Sequence, residues 1–238
     1  IALRILCGFS IEEIAMALLS NKETINKKLY RAKKTIKERN RVETNLTLNQ
    51  YATRLDNVLR VIYLLFNEGY YSSVNEDNIR HEICWEAMRL SIFLSELEIF
   101  PKQKIHALIA LMCFHTSRFE ARIDEEGELV VLENQDRSLY DEDLIQIGMR
   151  HLERAAVKIN PSDYHLQAAI SYYHCSAKSF AETDWKSILK LYDIQLERQY
   201  SPILTLNRIV VLHMVDGAEK ALIELEEFEA GPFFLDNA

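Results

Sequence analysis

The segment "GFSIEEIAMALLSNKETINKKLYRAKKTI" (residues 8–36) contains two short helical patterns separated by four turn residues. Ser10 followed three residues later by Glu13 is a capping box, which predicts that the first helix begins at Ile11. Apolar residues then recur at helical spacing on one face: Ile11, Ile14, Ala15, Leu18 and Leu19. The pattern breaks at "SNKE", where Asn21 tolerates the left-handed conformation that a tight turn requires.

The second pattern is basic on one side. Thr24 is predicted to cap this helix, and its apolar residues recur at helical spacing: Ile25, Leu29, Ala32 and Ile36. The opposite face carries Asn26, Lys27, Lys28, Arg31 and Lys34. Two short helices joined by a tight turn, the second one basic and facing outward, predict a DNA-binding helix-turn-helix.

The predicted DNA-binding residues are Thr24, Asn26, Lys27, Lys28, Arg31, Lys33, Lys34 and Lys37. In the usual docking, the N-terminal part of the second helix enters the major groove, so the residues up to Arg31 are candidates for base edges and nearby phosphates. The later lysines are expected to contact phosphate alone. A lysine-rich face can also be merely solvated, but here it coincides with a capped first helix and a tight turn.

Charge is unevenly distributed along the chain. The 238 residues include 28 basic and 36 acidic residues, a formal net charge of −8. Residues 1–41 (the head) hold ten basic and four acidic residues, a net charge of +6, so the remainder carries −14. This asymmetry indicates a head that binds a polyanion, attached to an acidic body.

Composition favours a helical protein without a membrane partner. Six glycines and four prolines are few for this length, which favours long helices over strands. The cysteines (Cys7, Cys84, Cys113 and Cys175) form no CxxC pair and fall inside apolar helical patterns. They are expected to be reduced core residues of a cytoplasmic protein. No signal peptide is visible, and no apolar run approaches the ~18 residues of a membrane span.

From Leu48 onward (residues 48–238, the body) the pattern is helical almost throughout, so the fold class is predicted to be all-α. The run "IHALIALMCF" after Pro101 is apolar on every side, which predicts a central helix. Two short extended runs around Gly127 predict a small β-hairpin near residues 121–132.

The later helices form a weak repeat. Helix starts are predicted near Tyr164, Asp184, Pro202 and Ala218, so alternate starts are 38 and 34 residues apart. These spacings are close to the ~34 residues of a tetratricopeptide helix pair. We therefore predict a tetratricopeptide-like domain whose concave face binds a partner.

The head resembles a known family of DNA-binding proteins. "LRILCGFSIEEIAMALLSNKETINKKLYRAKKTI" resembles region four of bacterial sigma factors of the extracytoplasmic-function group, in which "EIA" and Thr-hydrophobic-x-x-Arg/Lys-Leu-x-Arg-Ala-Lys recur. The resemblance implies recognition of the minus-35 promoter element and docking on RNA polymerase core. Lys28 stands where the family often has Arg, a change that keeps the charge but loses the bidentate fork.

The body extends the resemblance over nearly the whole chain. "LLFNEGYYSS", "LMCFHTSRFEARID", "LVVLENQDRSLYDEDLI", "TDWKSILKLYD" and "SPILTLNRIVVLHMVDG" resemble, in order, blocks of a sigma subgroup with a C-terminal tetratricopeptide-type extension. Sigma region two is missing before Ile1, and the family's extension runs further than "GPFFLDNA". We therefore expect a piece of a longer protein: region four (1–41), a linker (42–47) and a helical domain (48–238) that is truncated at its C-terminus.

Several polar residues lie beside apolar runs in the body. The predicted pocket or interaction face is Asn67, Glu68, His115, Arg118, Asp136, Arg137, Asp184, Asn207 and Arg208, with Arg122 and His174 nearby in the pattern. A catalytic interpretation would use Glu68 or Asp136 as base and a histidine as partner. Mutual pairing of buried charges or a pocket for a regulatory ligand or peptide is the better explanation. We predict no catalytic residues.

No metal or cofactor is predicted. The seven histidines show no HxxxH or HExxH spacing, and no GxGxxG or GxxxxGK[ST] loop is present. The predicted function is the C-terminal part of an alternative sigma factor, with promoter DNA and RNA polymerase core as partners. The alternative is a helix-turn-helix regulator that responds to a ligand or peptide. The body is expected to pack on the head through the polar face around Asp136, Arg137 and Arg208.

Overall fold

Helices make up most of the computed structural model, which describes residues 1–5, 9–18, 20–39, 47–70, 80–156 and 160–229. The α-helices in these ranges are α1 (Ala2–Ile5), α2 (Ile11–Ala17), α3 (Lys22–Arg39), α4 (Leu48–Tyr70), α5 (His81–Glu96), α6 (Lys102–Thr116), α7 (Glu142–Ala155), α8 (Asp163–Ser176), α9 (Trp185–Arg198), α10 (Pro202–Asp216) and α11 (Ala218–Glu229). Three 3₁₀ turns lie between α6 and α7: Phe119–Ala121, Leu132–Asn134 and Arg137–Leu139. The all-α prediction is confirmed.

The segment predicted as a β-hairpin is a tight loop. Ile123 and Leu129 form one isolated antiparallel bridge, and the described residues contain no longer strand. Gly127 has a φ of 86°, a conformation that glycine adopts at little cost. The hairpin is therefore reduced to a single bridge, and the chain continues through 3₁₀ turns.

The α2–α3 pair begins with the predicted capping box. The Glu13 amide donates to Ser10 Oγ at 3.0 Å, and the Ser10 amide donates to the Glu13 carboxylate. The prediction that Thr24 caps the second helix is wrong, because Asn21 Oδ1 accepts from the Thr24 amide at 2.8 Å. Helix α3 thus begins at Lys22, and Asn21 is its N-cap. Asn21 is not left-handed, since Asn160 is the non-glycine residue with positive φ in the described ranges.

Helix α6 lies at the centre of the body. It packs on α4, α5, α7 and α8, and its residues from Ala107 to Phe114 are at most 1% exposed. This explains why the run is apolar on every side. Full burial of one Leu side chain such as Leu111 contributes about 1.5–3 kcal/mol, so this helix anchors the core. The prediction of a central helix is confirmed.

Helix α7 approaches α6 unusually closely at one glycine. A Cβ built on Gly148 would lie 2.7 Å from Cε1 of Phe114, whose side chain is fully buried. Only the absence of a side chain at Gly148 permits this contact between the two helices.

The head and body share one hydrophobic cluster. Helices α1 and α2 both contact α4, and Leu3, Phe9 and Ile14 belong to the same buried cluster as Leu59 and Phe66. The expectation that the body meets the head through the polar face around Asp136, Arg137 and Arg208 is wrong, because the contact is apolar and is made by α4. Of the predicted linker, residues 42–46 lie outside the described residues.

The last four helices begin within one residue of their predicted starts. Each packs on the next, in the order α8, α9, α10 and α11, as stacked helix pairs do. The cysteines Cys84, Cys113 and Cys175 are buried and unbridged, as predicted, whereas Cys7 lies outside the described residues. No helix in the described ranges has both the length and the apolarity needed to cross a membrane.

Candidate nucleic-acid interface and cationic cavity

Helix α3 buries one face and exposes the other. Ile25 is only 2% exposed and lies in the shared cluster. Around the rest of the helix the predicted DNA-binding residues are exposed, except Thr24, which is half-buried: Asn26, Lys27, Lys28, Arg31, Lys33, Lys34 and Lys37. The structure therefore brings this predicted set together on one accessible surface, which we call the basic face of α3.

Part of this charge is paired locally. Lys27 Nζ lies 2.6 Å from a Glu23 carboxylate oxygen, and Lys34 Nζ lies 3.6 Å from Glu38. Both are exposed i,i+4 pairs, which contribute little and exchange readily for another anion. The remaining cations of the basic face form no ion pair with any described residue: Lys28, Arg31, Lys33 and Lys37. Their charge is available to a polyanion.

Two residues of α3 differ from the sequence interpretation. Tyr30 is 70% exposed and stands between Lys27 and Lys34 on the helix surface. Tyr30 was not among the predicted DNA-binding residues, although a Tyr flanked by basic residues on a helix is a candidate donor to phosphate. Ile36, predicted to be buried, is 50% exposed.

A second feature is a cavity of about 570 Å³ in the body, which we call the cationic cavity. It lies between α4, α6, α8, α9, α10 and the loop 129–135. Its lining residues include His115, Arg118, Arg122, His174 and Asn207, all singled out by the sequence. The described lining contains two arginines and no Asp or Glu, which is notable in an acidic body.

Tyr70 organises the cationic end of this cavity. The Arg122 guanidinium carbon lies 3.8 Å from the centroid of the Tyr70 ring, a cation–π contact. Arg118 Nη2 donates to the Tyr70 hydroxyl at 3.1 Å and lies 3.2 Å from His115 Nδ1. Both guanidinium groups are thus held by one buried aromatic side chain.

The two histidines of the cavity are neutral at pH 7. Burial, followed by the positive charges of Arg118 and Arg122, holds the pKa of His115 well below its usual value. Burial and the same kind of positive field lower the pKa of His174 to about 3. A histidine with such a pKa is a poor acid–base catalyst near neutral pH.

Two polar atoms of the lining are available for a bound molecule. His174 Nδ1 and Gln195 Oε1 are buried and form no hydrogen bond to any residue in the described part of the chain. Unsatisfied buried polar atoms are costly, so their position at a cavity wall indicates a place where a ligand or water would be held.

Most of the other predicted pocket residues have structural roles. Asp184 Oδ1 accepts from the Ser187 amide at 3.0 Å and caps α9. Asp136 accepts from the Ser138 amide at 2.9 Å and caps a 3₁₀ turn. Short acidic side chains before a helix satisfy its first amides, and neither residue lines the cavity.

The remaining arginines tie helices together. Arg137 Nη1 donates to the carbonyl oxygens of His174 and Ala177 at the end of α8. Arg208 donates to carboxylates of Asp193 on α9 and Glu224 on α11. These contacts confirm mutual pairing for Arg208 and place both residues outside the cavity lining.

Glu68 and Asn67 lie on α4 near the head, outside the cavity lining. Glu68 is 7% exposed, and burial, then the negative charge of Glu13, raises its pKa. The carboxylates proposed for a catalytic interpretation, Glu68 and Asp136, are therefore not brought together with the cavity histidines. Sequence reasoning also missed uncharged lining residues that carry no distinctive pattern: Tyr63, Tyr70, Gln135, Gln167, Tyr192 and Gln195.

Comparison with known proteins gives a partial match. Residues 54–156 match the model of a family described as "Family of unknown function (DUF6596)". An uncharacterized protein of Rhizobium meliloti (strain 1021) is 35% identical over 227 residues, which is 95% of this chain and 53% of that relative. The chain thus spans about half the length of the curated relative it matches. No solved structure matches. The cationic end of the cavity, from Tyr70 to Arg122, lies in the matched segment.

Proposed function

We propose that this chain is the C-terminal part of a bacterial alternative sigma factor of the extracytoplasmic-function group. In this proposal α2 and α3 recognise the minus-35 promoter element and dock on RNA polymerase core in the cytoplasm. The observation that carries the proposal is the basic face of α3, exposed on a helix-turn-helix whose opposite face is buried. The promoter and polymerase assignments come from the sequence resemblance.

The charge distribution of α3 supports a polyanion as the partner. Lys28 and Arg31 lie near the N-terminal half of the helix, which enters the major groove in the usual docking. Lys33 and Lys37 lie further along, where phosphate contacts position a protein without reading sequence. Tyr30 adds a hydroxyl to the same surface. The N-terminus of α3 also presents backbone amides and a positive dipole to phosphate.

The mechanism proposed is recognition rather than catalysis. The body holds the helix-turn-helix through α4, so its role would be to fix the orientation of α3 relative to polymerase. A second candidate, a helix-turn-helix regulator controlled by a ligand, is favoured by the cationic cavity. Co-purification of the full-length protein with RNA polymerase core would distinguish the two, since only the sigma factor requires that complex.

The decisive variant is Lys28→Ala with Arg31→Ala. Specific binding to a promoter duplex should be lost, and the slope of log affinity against log salt should fall by about 0.9 for each phosphate contact removed. Fluorescence anisotropy measures both, with circular dichroism to verify folding. The matched control is Lys186→Ala with Lys190→Ala, which removes the same charge from the exposed side of α9. Equal affinity of the two double variants would rule out the basic face as the DNA-binding surface.

A further inference from the structure

One wall of the cationic cavity is built by three consecutive helices of the body. Along α8 its residues recur at the spacing of one helix face, and α9 and α10 complete it: Gln167, Ile170, Ser171 and His174, then Tyr192 and Gln195, then Ile203, Leu204 and Asn207. We call this set the α8–α10 wall. None of its side chains is charged at pH 7, because burial lowers the pKa of His174 to about 3.

The two arginines of the cavity lie outside this wall. Arg118 and Arg122 already have partners within the chain, Tyr70 among them. The described lining contains no Asp, Glu or Lys. The α8–α10 wall is therefore suited to an uncharged molecule, which it would bind through hydrogen bonds and apolar contact.

Gln195 is the most buried polar side chain of the wall. It is only 3% exposed, and its Oε1 accepts no hydrogen bond from any described residue. On the neighbouring helix, His174 Nδ1 is also buried and has no hydrogen-bond partner in the described ranges. A buried polar atom without a partner is costly, so these two atoms mark the part of the wall where a ligand would form hydrogen bonds.

The mouth of the cavity is apolar. Leu129 and Val131 on the loop and Ile203 on α10 line it, and each is more than half exposed. Leu204, next to Ile203, adds apolar surface to the wall. Large apolar side chains left in water at the rim of a cavity mark a surface that a ligand can cover.

We infer that the α8–α10 wall binds a small uncharged ligand that carries a primary amide group on an apolar frame. The amide N–H of the ligand donates to Gln195 Oε1, and its apolar part lies against Ile203 and Leu204. An amide matches a glutamine because each offers one acceptor oxygen beside an N–H donor. The cavity volume of about 570 Å³ is within the range of about 300–1,000 Å³ typical of small-molecule sites.

The first test uses the full chain and an uncharged fluorescent probe, N-phenyl-1-naphthylamine, whose emission rises in an apolar site. Octanamide should displace it at about threefold to tenfold lower concentration than 2-nonanone, as one net hydrogen bond would give. In 2-nonanone a methyl group replaces the NH₂ of octanamide, so the two molecules have nearly the same shape and neither is charged. Apolar burial alone would favour the ketone, so the expected order cannot come from hydrophobicity.

The second test removes the amide of the wall. Gln195→Leu replaces an unpaired buried amide with an apolar side chain of similar size, so folding should be preserved. In this variant octanamide should lose its advantage over 2-nonanone. The matched control, Gln146→Leu, makes the same change at an exposed position of α7 outside the lining and should keep the advantage. Circular dichroism verifies the folding of both variants.

The third test removes apolar surface from the mouth. Ile203→Ser should raise the displacing concentrations of octanamide and 2-nonanone by a similar factor, about twofold to fivefold, and should leave their ratio unchanged. Val210→Ser is the control, since Val210 is exposed on the same helix but does not line the cavity. A change in ratio at Gln195 and a change in both concentrations at Ile203 would together locate the two ends of the ligand.

Four outcomes would overturn the inference. Displacement by 2-nonanone at equal or lower concentration than octanamide would mean that the wall recognises apolar surface alone. Stronger displacement by octanoate or octylamine would mean that the cavity selects a charged ligand. Equal ratios in Gln195→Leu and Gln146→Leu would place the probe elsewhere on the chain. No displacement by octanamide up to its solubility would mean that only water satisfies Gln195.

Discussion

At the scale of single residues, the role of a polar side chain depends on its neighbours more than on its type. Asp184 and Asn207 both appeared in the sequence as polar residues beside apolar runs. In the structure Asp184 caps α9, whereas Asn207 lines the cationic cavity. The periodicity of the sequence predicts which face a residue occupies, but it does not show which helix lies opposite, so capping and lining residues could not be separated.

The cap assignment leads to a specific prediction. Replacing Asp184 with Ala should lower the free energy of unfolding by about 0.5–2 kcal/mol, because the Ser187 amide loses its acceptor. Asp184→Asn keeps an acceptor oxygen and should retain most of the stability. Urea denaturation measures both variants. If Asp184→Ala unfolds at the same urea concentration as the parent chain, Asp184 does not stabilise the start of α9.

A histidine pair predicts a dependence of stability on pH. His106 on α6 and His151 on α7 have their Nδ1 atoms 3.0 Å apart, and burial lowers the pKa of both, that of His151 to about 4. An unfolded histidine titrates near 6.5, so between these values the unfolded chain binds more protons. The stability contributed by neutral His151 is present above about pH 6.5 and is lost as the pH falls towards 4.

Urea titrations between pH 7 and pH 4.5 measure this dependence. His151 should account for about 2 kcal/mol of the loss over that range, and His151→Gln should flatten the curve accordingly. His213→Gln, a change at an exposed histidine of α10, serves as the control. If both variants keep the slope of the parent chain, the histidine pair does not set the pH dependence.

At the scale of elements, the positions of the helices along the chain could largely be predicted from the sequence, whereas the pairs of helices that pack together could not. The starts of α8 to α11 and the central position of α6 follow from caps, proline and apolar periodicity, which are local signals. The close approach of α6 and α7 depends on the pairing of Gly148 with Phe114 across 34 residues of sequence, and no local pattern encodes that pairing.

That approach predicts the effect of adding one methyl group. Gly148→Ala gains helix propensity of about 1 kcal/mol, but its Cβ would lie 2.7 Å from Cε1 of the buried Phe114 ring. Overpacking of this kind costs about 1–3 kcal/mol, so thermal unfolding should show a net loss of stability. Adding Phe114→Leu removes the ring, and the two changes together should cost less than their sum. A raised melting temperature in Gly148→Ala alone would contradict the close packing.

At the scale of the whole molecule, the head is held by the body through apolar packing. The sequence predicted a basic head and an acidic body that meet through a polar face. The structure joins them because Leu3, Phe9 and Ile14 complete their burial in one cluster with α4 residues such as Leu59. The distribution of charged residues predicts which surfaces are exposed to solvent. It does not predict which apolar faces of the head and the body pack against each other.

The shared cluster predicts that the head does not fold alone. A fragment of residues 1–47 should show weak helicity by circular dichroism, because short helices without tertiary packing are marginal in water. The full chain, in which α4 and the helices packed on it are present, should unfold cooperatively with the head included. Cooperative thermal unfolding of residues 1–47 alone would show that the head has a sufficient core of its own.

The same cluster fixes when the basic face of α3 can be held in place in a growing nascent chain. Its members extend from Leu3 to Phe119, and a ribosome adding about 5–20 residues per second needs roughly 6–23 s to synthesise that interval. During this time the basic residues of α3 have been made but the helices that anchor them have not. A message truncated before Phe119 would therefore yield a chain with the full positive charge of the head and no packed helix to hold that charge in one place.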